Sequence, residues 1–502
     1  MRERVHESLG QPFIDAVLRP RLLADAETAL PAMVAANQAH AVMLAERGLI
    51  PAGPAALVAR ALLDLARRGI PAADLDPALE DLYANVERAV ARAVGEDAAG
   101  RMHVARSRND LWATVARLNA RAALDRVAGA LVDLRGRLLE LVAEHAELVM
   151  PGYTHLQPAQ PITAGFYFLG VAEALARDGE RLADAYRRVN RCPLGAGALA
   201  GTSFPIDREL TARLLGFDGP VRSALDAVAS RDHVLECLGH FAILAVTLAR
   251  LAADLYFWSS AEVGLLEVSG AIAVASSIMP QKKNAAALEH IKGRAGHVAG
   301  ALAGALATAA GTQFMHSRDT SVEVTMALAR GEADLAVVLT LARAVLDGVR
   351  FRPDAGARCA DDFSTLTDLA DALVREAGLP FRLAHEVCAG LAREMLDAGR
   401  SPASLDAAAV SAAATARAGR PITLPEASVR AALDPHRSVA GRRSAGGTAP
   451  VAVRETLAEA EQILAADRAA LAARRQAENR ARQDLEARCA ALAAGAGKET
   501  RT

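Results

Sequence analysis

The sequence predicts an all-α protein: a long central helical bundle with smaller helical domains at its N- and C-terminal ends. Apolar residues recur at helical spacing over stretches too long for strands, strand-like alternation is scarce, and proline-rich loops separate the stretches. At 502 residues the chain is long for a single core, so several domains or one elongated helical body are expected. Hydrophobic residues make up 52% against 23% charged, enough for a large packed interior. Aromatics are only 4%, so aliphatic side chains must fill it.

Four segments are expected: an N-terminal helical domain over 1–105, the central bundle over 106–351, a small helical domain over 352–450, and a charged C-terminal helix and tail over 451–502. From Leu111 the apolar positions Leu111, Val115, Leu118 and Ala122 step by four, three and four. After a slip, Val127, Leu131, Leu134, Leu138 and Leu141 continue the stripe, which predicts a helix of many turns. It ends near "MPGYTHLQPAQP", where Pro151, Pro158 and Pro161 forbid helix and a loop is expected. A second long helix runs from about Thr163 to Asn190. The connector "CPLGAGALAGTSFPIDREL" follows, ending in the capping-type Asp207 before Leu210. Two further long runs are read over Leu225–Val263 and Asn284–Thr308. In the second, Gly293, Gly296, Gly300 and Gly304 recur every three or four residues, a spacing that lets helix backbones approach closely within a bundle. From about Arg352, "GLPF", "GRSPAS" and "GRPITLP" separate shorter helices, and the stretch from Arg454 is helix-prone with an end expected to fray.

Charge is nearly balanced, 57 basic against 59 acidic residues, with no dominant basic stripe, so nucleic acid and anionic membranes are not expected partners. The apolar segment Phe241–Trp258 carries Arg250 and Asp254 and reads as a buried helix, not a membrane span. The start, "MRERVHESLG", lacks the apolar run of a secretory signal, so a cytoplasmic setting is expected. Cys192, Cys237, Cys359, Cys388 and Cys489 form no short motif and read as reduced thiols, and no Cys/His cluster has zinc spacing, so no metal is expected.

Polar residues concentrate in four loops at helix ends: "RMHVARSRND" (Arg101–Asp110), "PGYTHLQPAQP" (Pro151–Pro161), "LDAVASRD" (Leu225–Asp232) and "ASSIMPQKKNAAALEHIKGRAG" (Ala275–Gly296). Singly, each has a plain explanation. "SRND" can be a helix cap, His155 a structural histidine, Ser276-Ser277 a cap for a helix starting near Pro280, and Lys282-Lys283 solvated surface. Together their Arg, Lys, Asn, Thr and Ser donors suit a substrate with two carboxylates, and backbone N–H groups at a helix start favour added negative charge. A carboxylate gripped in this way can hold extra electron density and acidify the adjacent C–H. A positioned base then removes that proton, and the carbanion-like intermediate expels a leaving group from the next carbon. This chemistry needs no cofactor.

"SSIMPQKKN", "GYTHLQPAQP" and "PLGAGALAGTSFPIDRELTARLLGF" occur in an order and at a spacing that resemble the argininosuccinate lyase branch of the fumarase/aspartase superfamily. The resemblance runs from about Ala39 to "SAGGTAP" at Ser444–Pro450. It implies a homotetramer whose active sites each take loops from three subunits, and a reversible anti elimination that releases fumarate from a succinyl group attached through nitrogen or oxygen. It also implies roles. Ser276 is the base that takes the Cβ proton, its pKa lowered by backbone N–H donors and Lys282. His155 is the acid or a relay to the leaving nitrogen, and Glu289 holds His155. Thr154, Ser107, Asn109, Lys282 and Asn284 bind the succinyl carboxylates with Arg108 and Arg231 close by, and Gln157, Ser277 and Met279 complete the substrate contacts.

The pattern departs on one half of the site. Argininosuccinate lyases hold the arginine end with a tyrosine, a glutamine and a lysine in one segment, which here is "HSRDTSVEV". His316, Ser321 and Val324 stand at those three positions, while Arg318 and Asp319 remain polar; His316, Arg318 and Ser321 are therefore the expected contacts on that side. The "WGGRF" opening is missing, Ala32-Met33 replaces a Tyr-Asp, and Ala275 replaces the glycine before the serine pair, which stiffens the loop. Two enzymatic readings follow: a lyase for an N-substituted aspartate whose amine is not arginine, of the ethylenediamine-disuccinate, hydrazino- or nitro-succinate type, or a divergent argininosuccinate lyase. A catalytically silent scaffold is a third reading, disfavoured because Ser276, His155, Lys282, Asn284 and Glu289 are all present. Adenylosuccinate lyase is a weaker rival, since "QKKN" and "AGGTAP" match the argininosuccinate branch.

Overall fold

The computed structural model describes residues 7–495. The N-terminal part holds α1 (Arg19–Thr28), α2 (Leu30–Glu46), α3 (Ala52–Arg68) and α4 (Leu82–Val94). The bundle is built from α5 (Arg108–Glu144), α6 (Ala164–Val189), α7 (Asp232–Trp258), α8 (Ala286–Ala310) and α9 (Val324–Gly348). Shorter helices between Leu366 and Leu433 share a core of their own, centred on Leu369, Leu373, Val410 and Val429. The chain then runs through α10 (Pro450–Gly495).

The first two bundle helices start at side-chain caps. Ser107 caps α5, and its own N–H donates to Asp110 Oδ1 at 3.0 Å, closing a capping box. At 37 residues α5 is about 55 Å long, and Leu111, Leu131, Leu134 and Leu138 of the expected stripe are fully buried along it, while Leu118 is half-buried and Ala122 exposed. Thr163 Oγ1 accepts Phe166 N–H at 3.0 Å and starts α6 at the expected place. Asp207 Oδ1 accepts Leu210 N–H at 2.8 Å, as its position predicts. α7 is the helix among the described residues that is long and apolar enough to cross a membrane. Half of its most apolar stretch is buried, and Phe241, Leu244 and Leu248 belong to the bundle core.

Four expectations change. The proline-rich stretch 149–163 is no irregular loop but a β-hairpin of β1 (Val149–Thr154) and β2 (Gln157–Thr163), since proline fits an edge ribbon that asks for few N–H donors. Two small ribbons accompany it: β3 (Leu266–Val268) with β6 (Val349–Phe351), and β4 (Val274–Ala275) with β5 (Lys283–Asn284). The run read as Leu225–Val263 is broken at Ser230-Arg231, separating a short helix, Ala224–Ala229, from α7. No helix starts near Pro280; α8 begins at Ala286, beyond the ribbon. The glycines 293, 296, 300 and 304 meet nothing within 4 Å and lie on an exposed face of α8, so they do not bring helices together within this chain.

Gly331 on α9 does that instead. A Cβ there would stand 2.5 Å from Leu238 Cδ2 of α7 and 3.6 Å from Ala301 Cβ of α8. α10 is also no loose appendage. Its Leu457, Leu464 and Leu471 join the bundle core, and Leu485 and Cys489 join the core of α2 and α3. The fraying expected at its end concerns 496–502, outside the described residues. Replacing Gly331 by valine should lower stability by about 1–3 kcal/mol through overpacking, read as a drop in Tm. An unchanged Tm would mean that Leu238 swings aside at no cost.

Candidate active site

Asp110 organises one part of the candidate site. Its carboxylate is fully buried; Oδ1 accepts Ser107 N–H, and Oδ2 accepts Gly195 N–H at 2.9 Å and Gly197 N–H at 3.0 Å. One side chain thus ties the Ser107–Asn109 turn to the glycine-rich connector. Asn109 Nδ2 adds a bond to the Ala198 carbonyl at 3.0 Å. Burial pushes the Asp110 pKa up, against the pull of the Ser107, Gly197 and Gly195 N–H groups and the Arg106 charge. Gly197 has φ +62°, and a Cβ on it would stand 2.7 Å from the Gly201 carbonyl oxygen, so this turn requires glycine.

Arg108 and Arg231, expected beside the carboxylates, are largely committed inside the chain. Arg108 Nη1 reaches Glu80 Oε2 at 3.1 Å and Asp81 Oδ2 at 3.4 Å. Arg231 is 4% exposed, and its Nη1 donates to the carbonyls of Ser230 at 2.6 Å and Val228 at 3.2 Å. Asp81, buried at the cap of α4, also receives Trp112 Nε1 at 3.4 Å and stands 4.0 Å from Arg318 Nη2. The sequence reading missed Asp81, Trp112 and the organising role of Asp110. The capping position of Asp81 before "LYANVE" and the last letter of "SRND" were the available signals.

His316 is half-buried. Burial, then the charges of Arg231 and Arg318, push its pKa down to about 4, partly offset by the Val228 carbonyl facing its ring. Its Nδ1 is buried without a partner among the described residues. Ser321 sits in a π turn, Asp319–Glu323, which leads into α9. Val324 is fully buried in the bundle core.

The other two loops stand apart from these groups. The β1–β2 turn is made by His155 (φ +54°) and Leu156 (φ +58°), both left-handed, a geometry usually given to Asn-Gly. The turn holds Thr154, His155 and Gln157 out in solvent, with Leu156 66% exposed at the tip. In the 276–284 loop, Ser276 Oγ accepts two backbone N–H groups, from Met279 at 3.0 Å and Ile278 at 3.3 Å. Ser276 N–H donates to the Lys282 carbonyl at 3.3 Å, Lys282 N–H to the Met279 carbonyl at 3.1 Å, and Asn284 pairs with Val274 below the loop. Ser277, Met279 and Lys282 are exposed. Glu289 accepts Tyr256 OH at 2.9 Å, so the expected pair with His155 is not made within one chain. Among the described residues, no hydrogen bond or ion pair joins the Ser276 loop, the His155 hairpin and the Ser107–Asn109 turn.

Known proteins define the class. The Lyase family profile matches residues 20–300, and the chain is a lyase of the fumarase/aspartase superfamily. Within that superfamily it belongs to the argininosuccinate lyase family, and it is a carbon–nitrogen lyase. An argininosuccinate lyase C-terminal profile matches residues 363–440. Argininosuccinate lyase 1 of Shouchella clausii is 38% identical over 494 residues, 98% of this chain and 99% of that protein. Argininosuccinate lyase of Halobacterium salinarum is 44% identical over 440 residues, 87% of this chain and 88% of that protein. The crystal structure of EDDS lyase in complex with formate has a TM-score of 0.88 and 31% identity, covering 99% of this chain and 98% of that one. A variant of EDDS lyase with bound fumarate matches equally well.

Two tests follow from this geometry. Asp110→Asn puts an amide where three N–H groups converge. It should cost about 1–3 kcal/mol of stability and lower kcat/KM at least about tenfold, measured by thermal unfolding and steady-state rates on the folded fraction. For His316 the native pKa lies below the unfolded value of about 6.5, so the unfolded chain binds a proton that the native ring refuses. Native stability therefore falls as pH drops from about 6.5 through about 4. His316→Asn should lose less Tm than wild type across that window; equal losses would mean the ring titrates like a free histidine.

Proposed function

We propose that the chain catalyses reversible anti elimination of fumarate from an N-substituted L-aspartate whose amine is not arginine. The observation that carries the amine assignment is Val324. At the position where the family places a lysine for arginine, this chain has a fully buried core residue, accompanied by His316 and Ser321 in place of a tyrosine and a glutamine. Hydrogen-bonding partners of that kind carry much of a site's selectivity, and their loss leaves the arginine end unpaired. The second reading, a divergent argininosuccinate lyase, is favoured by the names of the relatives at 38% and 44% identity.

The proton chemistry centres on Ser276. An alkoxide is costly in water, and two N–H donors aimed at its Oγ lower that cost by binding the charged form more strongly than the neutral one. Lys282, three residues past Met279 on the same loop, adds positive charge. Ser276 then takes the Cβ proton, and the electron density passes toward the neighbouring carboxylate. Ser107, Asn109, Thr154, Lys282 and Asn284 hold the carboxylates. Loss of the nitrogen group completes the double bond of fumarate, with His155 protonating or relaying to the departing nitrogen.

Three loops that no hydrogen bond or ion pair joins among the described residues must meet for this to work. We place them together in a homotetramer with each site shared by three subunits, where Glu289 of one chain holds His155 of another. The exposed small-residue face of α8, with Ile243, Val246, Leu306 and Val337 also exposed on the bundle helices, supports such packing. The five buried, unpaired cysteines support a cytoplasmic setting.

The first experiment offers argininosuccinate to the purified protein and follows the ultraviolet absorbance of fumarate. Little or no release is expected, while fumarate with a panel of other amines should lose absorbance; rapid release from argininosuccinate would establish the second reading. Ser276→Ala should fold normally and lose nearly all turnover, and a variant keeping most of the wild-type rate would remove Ser276 as the base.

A further inference from the structure

A cavity of about 370 Å³ lies between α1, α5 and the π turn with the start of α9. Its size falls within the range of small-molecule sites, about 300–1,000 Å³. Trp112 in its wall lies one helical turn beyond Arg108 and Asn109, and its indole N–H donates to Asp81, which also holds Arg108. The cavity therefore adjoins the donor-rich turn that suits a carboxylate. Ser321 of the π turn lines its other side.

The two carboxylates in the wall are both taken. Asp25 receives Arg21 Nε at 2.6 Å, and Glu332 receives Arg126 Nε at 2.6 Å and Nη2 at 3.0 Å. Uncommitted donors, neutral hydroxyls and the Asn119 amide are what remain. Arg21 Nη1 and Thr325 Oγ1 are buried with no hydrogen-bond partner, and Arg330 at the edge makes no ion pair among the described residues. A guanidinium or ammonium entering here would lose its water and meet no uncommitted carboxylate, only neutral oxygens such as those of Asn119, Ser321 and Thr325. A carboxylate would find an unpaired N–H, a hydroxyl and a free cation. Small apolar residues such as Ala29, Val115 and Ala122 line the rest, suited to a short alkyl stem.

We propose that this cavity receives the nitrogen substituent of the substrate, and that the substituent ends in a carboxylate instead of a cation. The inference rests on the lyase reading above and names the class of amine that reading leaves open. The test gives the enzyme fumarate together with matched amines of equal length, 4-aminobutyrate against 1,4-diaminobutane and β-alanine against 1,3-diaminopropane, and reads loss of fumarate absorbance. The carboxylate-ended member of each pair should have a kcat/KM at least about tenfold higher. Equal rates, or faster reaction of the diamines, would overturn the proposal while leaving the lyase reading intact. No reaction with any amine or with argininosuccinate would overturn both. Thr325→Val keeps the side-chain shape and removes a hydroxyl that has no partner among the described residues, so a purely structural role predicts no loss. With Arg330→Glu as the companion variant, KM for 4-aminobutyrate should rise about tenfold in each while KM for fumarate stays unchanged. Unaltered KM for the amine in both variants would reject the cavity as its site.

Discussion

The candidate site depends on a buried carboxylate that accepts three backbone N–H groups. Asp110 caps α5 from within and reaches across to Gly195 and Gly197, so the start of the longest bundle helix and the glycine-rich connector are fixed by the same two oxygens. A buried carboxylate is expensive unless its lone pairs are filled, and here hydrogen bonds oppose the upward pull of desolvation on its pKa. Because α5 runs on through the bundle core, the Ser107–Asn109 turn is held by the most rigid element available. Precision at a polar turn is thus derived from the packing of an apolar helix.

The other two loops are held differently. The β1–β2 hairpin carries His155 at a turn where two side-chain-bearing residues both adopt left-handed φ, a local strain of the kind found where a group must be presented outward. The Ser276 loop is closed by the β4–β5 ribbon, and its own N–H groups converge on the serine oxygen. One loop exposes an imidazole on a left-handed turn, and the other aims two backbone N–H groups at a serine oxygen. Both are exposed on the single chain, whereas the groups around Asp81, Arg231 and His316 are buried or half-buried in it.

The two halves of the site differ in how they tolerate change. In the proposed reading, groups that grip a dicarboxylate must match a fixed geometry, whereas the amine side is rebuilt by altering which wall residues carry uncommitted donors or acceptors. Val324 illustrates this: once apolar, the position joins the bundle core and no longer offers a polar group to anything.

Much of this was written in local pattern. Most of the stripe from Leu111 to Leu141, the caps at Ser107 and Asp207, the helix start near Thr163, and the four polar loops were legible because helical periodicity and capping are short-range physics. The sequence by itself determined the all-α class, the long helices and the residues available for chemistry. Tertiary structure alone decided which small residue brings helices together, Gly331 instead of the α8 glycines, and which partner each charged group takes, Glu80 and Asp81 for Arg108 and Tyr256 for Glu289. It also turned a proline-rich stretch into a hairpin and gave Asp110 its link to Gly195 and Gly197, 85 and 87 residues away. The physical reason is range. Periodicity and caps act within a few residues, whereas contacts and the burial that tunes each charge depend on segments far apart in the chain.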